Sequence, residues 1–289
     1  MKKNKLSFAA YIYTAINVLA FSGCDIINPP EDIPAYIHIK NYNFTTNSVR
    51  EGTAANRFTD AWVYAGNTFL GGFEIPTTIP SLVKGNKKLI ISPGVKENGI
   101  SLNRVPYPFI EAFTPEVNLH EAKVDTIKPD WKYLPETRFP WLENFEGTSV
   151  SLQLSNNSTT GFRILNSNDS AFEGSGALMA TVDQQHVLFE CQTKNTYQLP
   201  RGKPVWVEMH YKTQVPLEIG VYSIGAGGNT KLFTAGVNPS AEWNKVYFNL
   251  TSTISYEGTT QVFRIYMAAF NQGNGGTILI DNLKLLYLE

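Results

Sequence analysis

The strongest constraint on the fold of this chain is its punctuation. Short runs of alternating apolar and polar residues recur, set apart by Gly, Pro and Asn, and no long segment shows helical periodicity. In the second half these runs are 177–182, Val187–Cys191, Val205–Tyr211, Leu217–Tyr222, Lys245–Leu250 and Phe263–Phe270. Turn residues divide them at a spacing of roughly ten, the pattern of strands folding back on one another in a sandwich. The first half carries Tyr36–Ile39, Ala61–Ala65, Phe69–Pro76 and Lys88–Val95 in the same style. Between the halves, Pro115, Pro129, Pro135 and Pro140 are scattered among polar residues. The expected class is all-β, with two β-sandwich domains: a small antiparallel one over 34–114, a linker over 115–140 that packs partly on its neighbours, and a second over 141–289.

Residues 1–24 predict where such a chain works. Lys2, Lys3 and Lys5 precede an apolar run from Leu6 to Phe21, followed by Ser22-Gly23-Cys24. A basic start, an apolar middle and small residues before a cysteine form a lipoprotein signal peptide over 1–23, cleaved to leave Cys24 lipidated. Two or three acyl chains anchor stably, since each buried methylene contributes ~0.8 kcal/mol. The apolar run is interrupted by Tyr11, Tyr13 and Asn17 and is short for a membrane span. Residues 24–33 read as a tether, extended at Pro29 and Pro30. Its acidic residues Asp25, Glu31 and Asp32 are dispersed, which leaves leaflet and facing open.

The net charge is −1, which gives no electrostatic footprint for nucleic acid. Only two cysteines exist, so with Cys24 lipidated no disulfide and no cysteine-based zinc site can be built. Cys191 lies in a strand-like run and is expected to be a buried core thiol. No His-Glu-x-x-His, Gly-x-Ser-x-Gly or phosphate-binding glycine loop occurs. Gly147–Ser151 falls one residue short of a nucleophile elbow. The chain is therefore not expected to be an enzyme.

Two resemblances sharpen the expectation. Asp60–Tyr64, Gly66-Asn67, Leu70–Phe73, Ile75-Pro76, Gly85-Asn86 and Leu89–Ile91 resemble transthyretin-like or carboxypeptidase-regulatory-like modules. Pro93–Val95, Asn98–Ile100, Arg104 and Tyr107–Phe109 are similar to the N-terminal half of Bacteroidota lipoproteins. In the second domain, Asn144–Gly147, Glu173–Leu178, Trp243–Leu250 and Ile280–Leu283 resemble a galactose-binding-like jelly roll, the fold of many carbohydrate-binding modules. The resemblance implies glycan as the ligand and the outer membrane as the site of anchoring. The alternative is an accessory subunit of an outer-membrane transport or assembly complex.

Jelly rolls of this type often hold a structural calcium ion, and Glu146, Glu173 and Asp281 match its places; no other cofactor is implied. Read from the residues alone, Asp281 bonds the turn backbone and Glu146 is a solvated edge charge. For a ligand face, strand parity groups Trp206, Glu208 and His210 on one side of Val205–Lys212. It groups Glu218 with Tyr222, and Arg264 with Tyr266 and Phe270. If the three strands are neighbours, Trp206, Glu208, His210, Glu218, Tyr222, Arg264 and Tyr266 share one face of the aromatic and charged character that sugars require. The same residues could equally be cross-strand pairs of structural value only. Trp62 and Trp243 are expected in the core. Asp125–Ile127 and Asp169–Ala171 resemble O-glycosylation sites of exported Bacteroidota proteins.

Overall fold

The computed structural model describes residues 31–168, 170–257 and 261–289. The signal peptide, Cys24 and most of the tether lie outside these residues, as does Asp169.

The first domain contains β1 (Ala35–Ile39), β2 (Asn43–Thr45), a short helix α1 (Ser48–Glu51), β3 (Asp60–Ala65), β4 (Thr68–Glu74), β5 (Thr77–Ser81), β6 (Gly85–Lys96), β7 (Arg104–Pro106), β8 (Glu116–Leu119), β9 (Val124–Ile127) and β10 (Asp130–Lys132). Strands β4-β3-β6-β7 form one sheet, with β8 also on β6; β5-β1-β9 form a second, and β10-β2 a small third. Gly66-Asn67 joins β3 to β4 in a tight hairpin, where Gly66 takes a positive φ of 60° that its missing Cβ permits. Alternation places Ile37, Ile39, Val63, Leu89 and Ile91 in the core.

Two sequence expectations are corrected here. Residues 115–140 are not a linker: β8 pairs with β6, β9 with β1, and β10 with β2, and the wholly buried Trp131 donates its indole N–H to the Ile91 carbonyl at 3.0 Å. The prolines delimit short strands, each paired within the first domain. Nor is the domain purely antiparallel, since β9 on β1 and β10 on β2 run parallel. A late segment returning beside early strands carries no local signature of its direction.

The second domain contains β11 (Thr137–Glu143), β12 (Leu152–Leu154), β13 (Phe162–Asn166), β14 (Gly176–Val182), β15 (Leu188–Thr193), β16 (Val205–Thr213), β17 (Leu217–Gly225), β18 (Gly228–Val237), β19 (Ser240–Asn249), a helix α2 (Thr251–Tyr256), β20 (Val262–Phe270) and β21 (Gly276–Leu288). It is a β-sandwich. One sheet runs β13-β14-β21-β16-β19 with β11 also on β21; the other runs β12-β15-β20-β17-β18. Between them pack Val205, Val207, Met209, Phe248, Ile280 and Leu285 from the first sheet, and Phe189, Cys191, Ile219, Val221, Ile265 and Met267 from the second. Cys191 is fully buried, as expected of a core thiol, and burial pushes its pKa up, making it inert.

The two domains meet over the outer face of the β21–β16–β19 part of the first sheet. Trp206, Tyr247 and Leu286 belong to the second domain by sequence but pack within the hydrophobic core of the first. Tyr107 and Phe109 lie edge-on to Trp206, with ring centroids 5.4 and 6.3 Å away. Among the described residues, no helix is long and apolar enough to cross a membrane.

Candidate functional site

The seven residues expected to share a ligand face divide between the two sheets. Strand β16 lies in one sheet, β17 and β20 in the other. Trp206, Glu208 and His210 are buried, covered by the first domain or by the loop before β14, and meet no solvent. Their parity was read correctly, but the face they form is an interdomain contact. The remaining four, Glu218, Tyr222, Arg264 and Tyr266, do share the outer face of the five-stranded sheet.

On that outer face β20 contributes Arg264, Tyr266, Ala268 and Phe270, and β17 contributes Glu218, Gly220 and Tyr222. Cross-strand register sets Glu218 and Glu190 on either side of Ala268. Glu190, buried on β15, accepts from the Tyr222 hydroxyl at 2.5 Å and from Lys231 Nζ at 2.5 Å. Burial opposes its ionisation, but the Lys231 ammonium and the Ser155 and Tyr222 hydroxyls outweigh that and hold its pKa below the ordinary value. Lys231 also reaches Glu218 at 3.4 Å and sits 4.4 Å above the Tyr266 ring. Tyr222 and Tyr266 are therefore committed to a cross-strand network and are not free stacking platforms.

The free aromatic surface lies at the other end of the same face. Phe233 is 62% exposed and Phe270 46%. They line a depression of about 340 Å³ together with Glu218, Asn238 and Gln272, and Gly236 and Ala268 keep its floor low. Phe270 shares the parity of Arg264 and Tyr266, so the sequence carried its signal. Phe233 escaped because its strand, β18, is mostly exposed and shows no clean apolar alternation, so it does not stand out among the strand runs of the sequence; a β-bulge between Ile219 and Gly220 sets its register on β17. Trp62 and Trp243 are both half-buried rather than core residues, Trp62 stacked on Phe69 and Trp243 set edgewise to Phe172.

Glu146, Glu173 and Asp281 do meet at one corner, but their oxygens are turned to protein donors. Asp281 accepts the backbone N–H groups of Phe172, Glu173 and Asn282 at 3.1, 3.2 and 2.6 Å. Glu146 accepts those of Ser175 and Gly176 at 2.7 and 2.5 Å and the Ser175 hydroxyl at 3.0 Å. Gly176 is required there, because a Cβ would overlap the Phe145 carbonyl. Asn282 donates to Glu173 at 3.2 Å. Among the described residues no three His, Cys, Asp or Glu side chains converge as a metal-holding group, and the carboxylates at this corner are hydrogen-bonded to protein donors. The carboxylates close the turn themselves.

The domain junction is built around Glu208. Its Oε1 accepts the hydroxyls of Tyr107 and Tyr133, each at 2.7 Å, and its Oε2 pairs with Lys245 at 2.6 Å. Lys245 and Lys284 then donate to the carbonyls of Ala55 and Thr53 at 2.9 and 2.6 Å, so both cations are tied to the first domain. Burial would raise the pKa of Glu208, but the two lysines and the hydrogen bonds hold it at about 2. His210 stacks on Phe172 at 3.8 Å, and its Nδ1 has no partner among the described residues. Burial, reinforced by Lys245, lowers its pKa to about 2. Burial instead raises Asp281 to about 7.

These shifts combine into a pH dependence of stability. Each proton taken up by only one of the folded and unfolded states changes their ratio roughly tenfold per pH unit. Between pH 6.5 and 4.5 the unfolded chain gains a proton on His210 while the folded protein holds one on Asp281, and the two slopes cancel. Below 4.5 the unfolded state also protonates Glu208 and stability falls, more steeply below 3.8. Urea midpoints are therefore expected to stay level down to pH 4.5. Asp281→Asn removes the compensating proton and moves the onset of the fall to pH 6.5. An unchanged onset in that variant would refute the assignment.

No family model matches the chain, and no curated protein does. The chain is similar to solved structures. One is the CBM22-1 xylan-binding domain of Paenibacillus barcinonensis Xyn10C, at 12% identity and TM-score 0.41, covering 54% of this chain and 98% of that one. Another is the family 11 carbohydrate-binding module of Clostridium thermocellum Lic26A-Cel5E, at 10% identity and TM-score 0.38, covering 51% and 93%. A third is a structure of carbohydrate-binding modules from the beta-sandwich superfamily, at 14% identity and TM-score 0.40, covering 80% and 85%.

Proposed function

We propose that this protein is a non-catalytic glycan-binding lipoprotein, anchored in an outer membrane through Cys24, with the ligand on the outer face of the five-stranded sheet. The observation that carries the glycan reading is the depression flanked by exposed Phe233 and Phe270 and edged by Glu218, Asn238 and Gln272. Aromatic rings offer an apolar surface to the C–H face of a sugar, while carboxylate and amide groups bond its hydroxyls. Residues 1–24 support the anchor. The first domain, docked on the opposite sheet, leaves this face open.

The test is binding of the full chain to a panel of soluble polysaccharides, by affinity electrophoresis and then calorimetry. Phe233→Ala and Phe270→Ala are each expected to weaken binding by about tenfold or more, with stability changed by less than about 1 kcal/mol because both rings are already exposed. Retained affinity in both variants would remove this face from the reading. Failure to bind any glycan, together with stoichiometric recovery of a membrane protein from detergent extracts, would make the chain an accessory subunit instead.

A further inference from the structure

We propose a second binding site, at the domain junction, for a carboxylate-bearing sugar residue of the uronic acid type. A pocket of about 210 Å³ opens there, lined by Arg57, Thr59, Lys96 and Ser101 of the first domain and by Tyr211 and Asn244 of the second. It is independent of the Phe233–Phe270 face, which lies on the other sheet of the sandwich.

Three observations converge on an anionic polyol. The first is charge: Arg57 is exposed and Lys96 half-buried, neither forms a salt bridge among the described residues, and no Asp or Glu lines the pocket. In the adjoining wall Lys245, by contrast, is neutralised by Glu208. The second is orientation. Arg57 is held in place without losing its charge, its guanidinium bonded to the neutral amide oxygen of Asn244 and its backbone N–H donating to the Tyr247 hydroxyl at 2.8 Å. A planar guanidinium fixed this way keeps donors for a carboxylate. The third is size and lining. At ~30 Å³ per water the pocket holds about seven waters, more room than one carboxylate fills. The hydroxyls of Thr59, Ser101 and Tyr211 beside that space suit the hydroxyls of a single sugar ring.

The probes are sodium glucuronate, neutral glucose and sodium sulfate, titrated into the full chain at low ionic strength by calorimetry and thermal shift. Glucuronate is expected to bind and to raise the melting temperature, glucose to leave both readouts flat, and sulfate to bind more weakly than glucuronate. Arg57→Gln and Lys96→Gln are each expected to reduce glucuronate affinity at least about tenfold, the loss of one charge-assisted contact. Phe233→Ala leaves this binding intact, which separates the two sites. Arg57→Gln keeps the backbone bond to Tyr247, and an unshifted ligand-free melting temperature shows that it folds. Glucuronate binding no better than glucose, or unchanged in the double variant, would overturn the site. Equal binding of sulfate would overturn the sugar assignment.

Discussion

Replacing Glu208 by alanine is expected to lower the stability of the protein by about 3–5 kcal/mol, the range for removing one partner of a buried ion pair. The change leaves the Lys245 ammonium buried without a counter-charge and leaves the Tyr107 and Tyr133 hydroxyls without an acceptor. Against a total of about 5–15 kcal/mol for a folded domain, that is a large share. Glu208→Gln keeps an acceptor for the tyrosines and should cost less. Glu208→Met combined with Lys245→Met should recover much of the loss, since an apolar pair of similar volume can replace a buried ion pair at little cost. Urea denaturation of these variants checks this, with Glu208→Met and Lys245→Met alone added so that the double variant closes a double-mutant cycle. A Glu208→Ala protein within about 1 kcal/mol of the parent would mean that the junction is wet and that the network does not hold the domains together.

Trp206→Ala carries the second large effect, about 3–5 kcal/mol of destabilisation from the loss of a buried indole and the cavity left behind. The indole fills the core of the first domain between Tyr107 and Phe109. At a temperature where the variant remains folded, its glycan binding is expected to equal that of the parent, because the ring faces the opposite way from Phe233. The phenylalanine variants show the converse: stability kept and binding lost. Loss of binding in Trp206→Ala with unchanged denaturation would reverse the assignment of the two faces.

The contrast between Trp206 and Phe233 shows how far local pattern reaches. Strand parity correctly grouped Trp206, Glu208 and His210 on one face of β16, and Arg264, Tyr266 and Phe270 on one face of β20. The side-chain period of a strand is a local property, set by the pleat of the backbone. Parity does not say which strands are neighbours, so the two groups were joined into one surface although they belong to different sheets. It also does not say what covers a face. An aromatic, charged face reads the same in sequence whether it meets a ligand or another domain. Phe233 shows a further limit, because its mostly exposed strand carries no alternation that marks it as a strand at all.

The sequence by itself determined the all-β class, the period and punctuation of the strands and the burial of Cys191. Each follows from steric rules that act over a few residues. Only the tertiary structure decided that residues 116–132 close the first domain, that β9 and β10 run parallel to β1 and β2, and that the Glu146–Asp281 corner bonds its own backbone. The tertiary structure also set Glu208 at a domain junction. These outcomes depend on contacts between residues distant in the chain, as Tyr107 and Glu208 are. Such contacts are chosen by how much apolar surface and how many polar groups can be satisfied together, and no short segment encodes that sum.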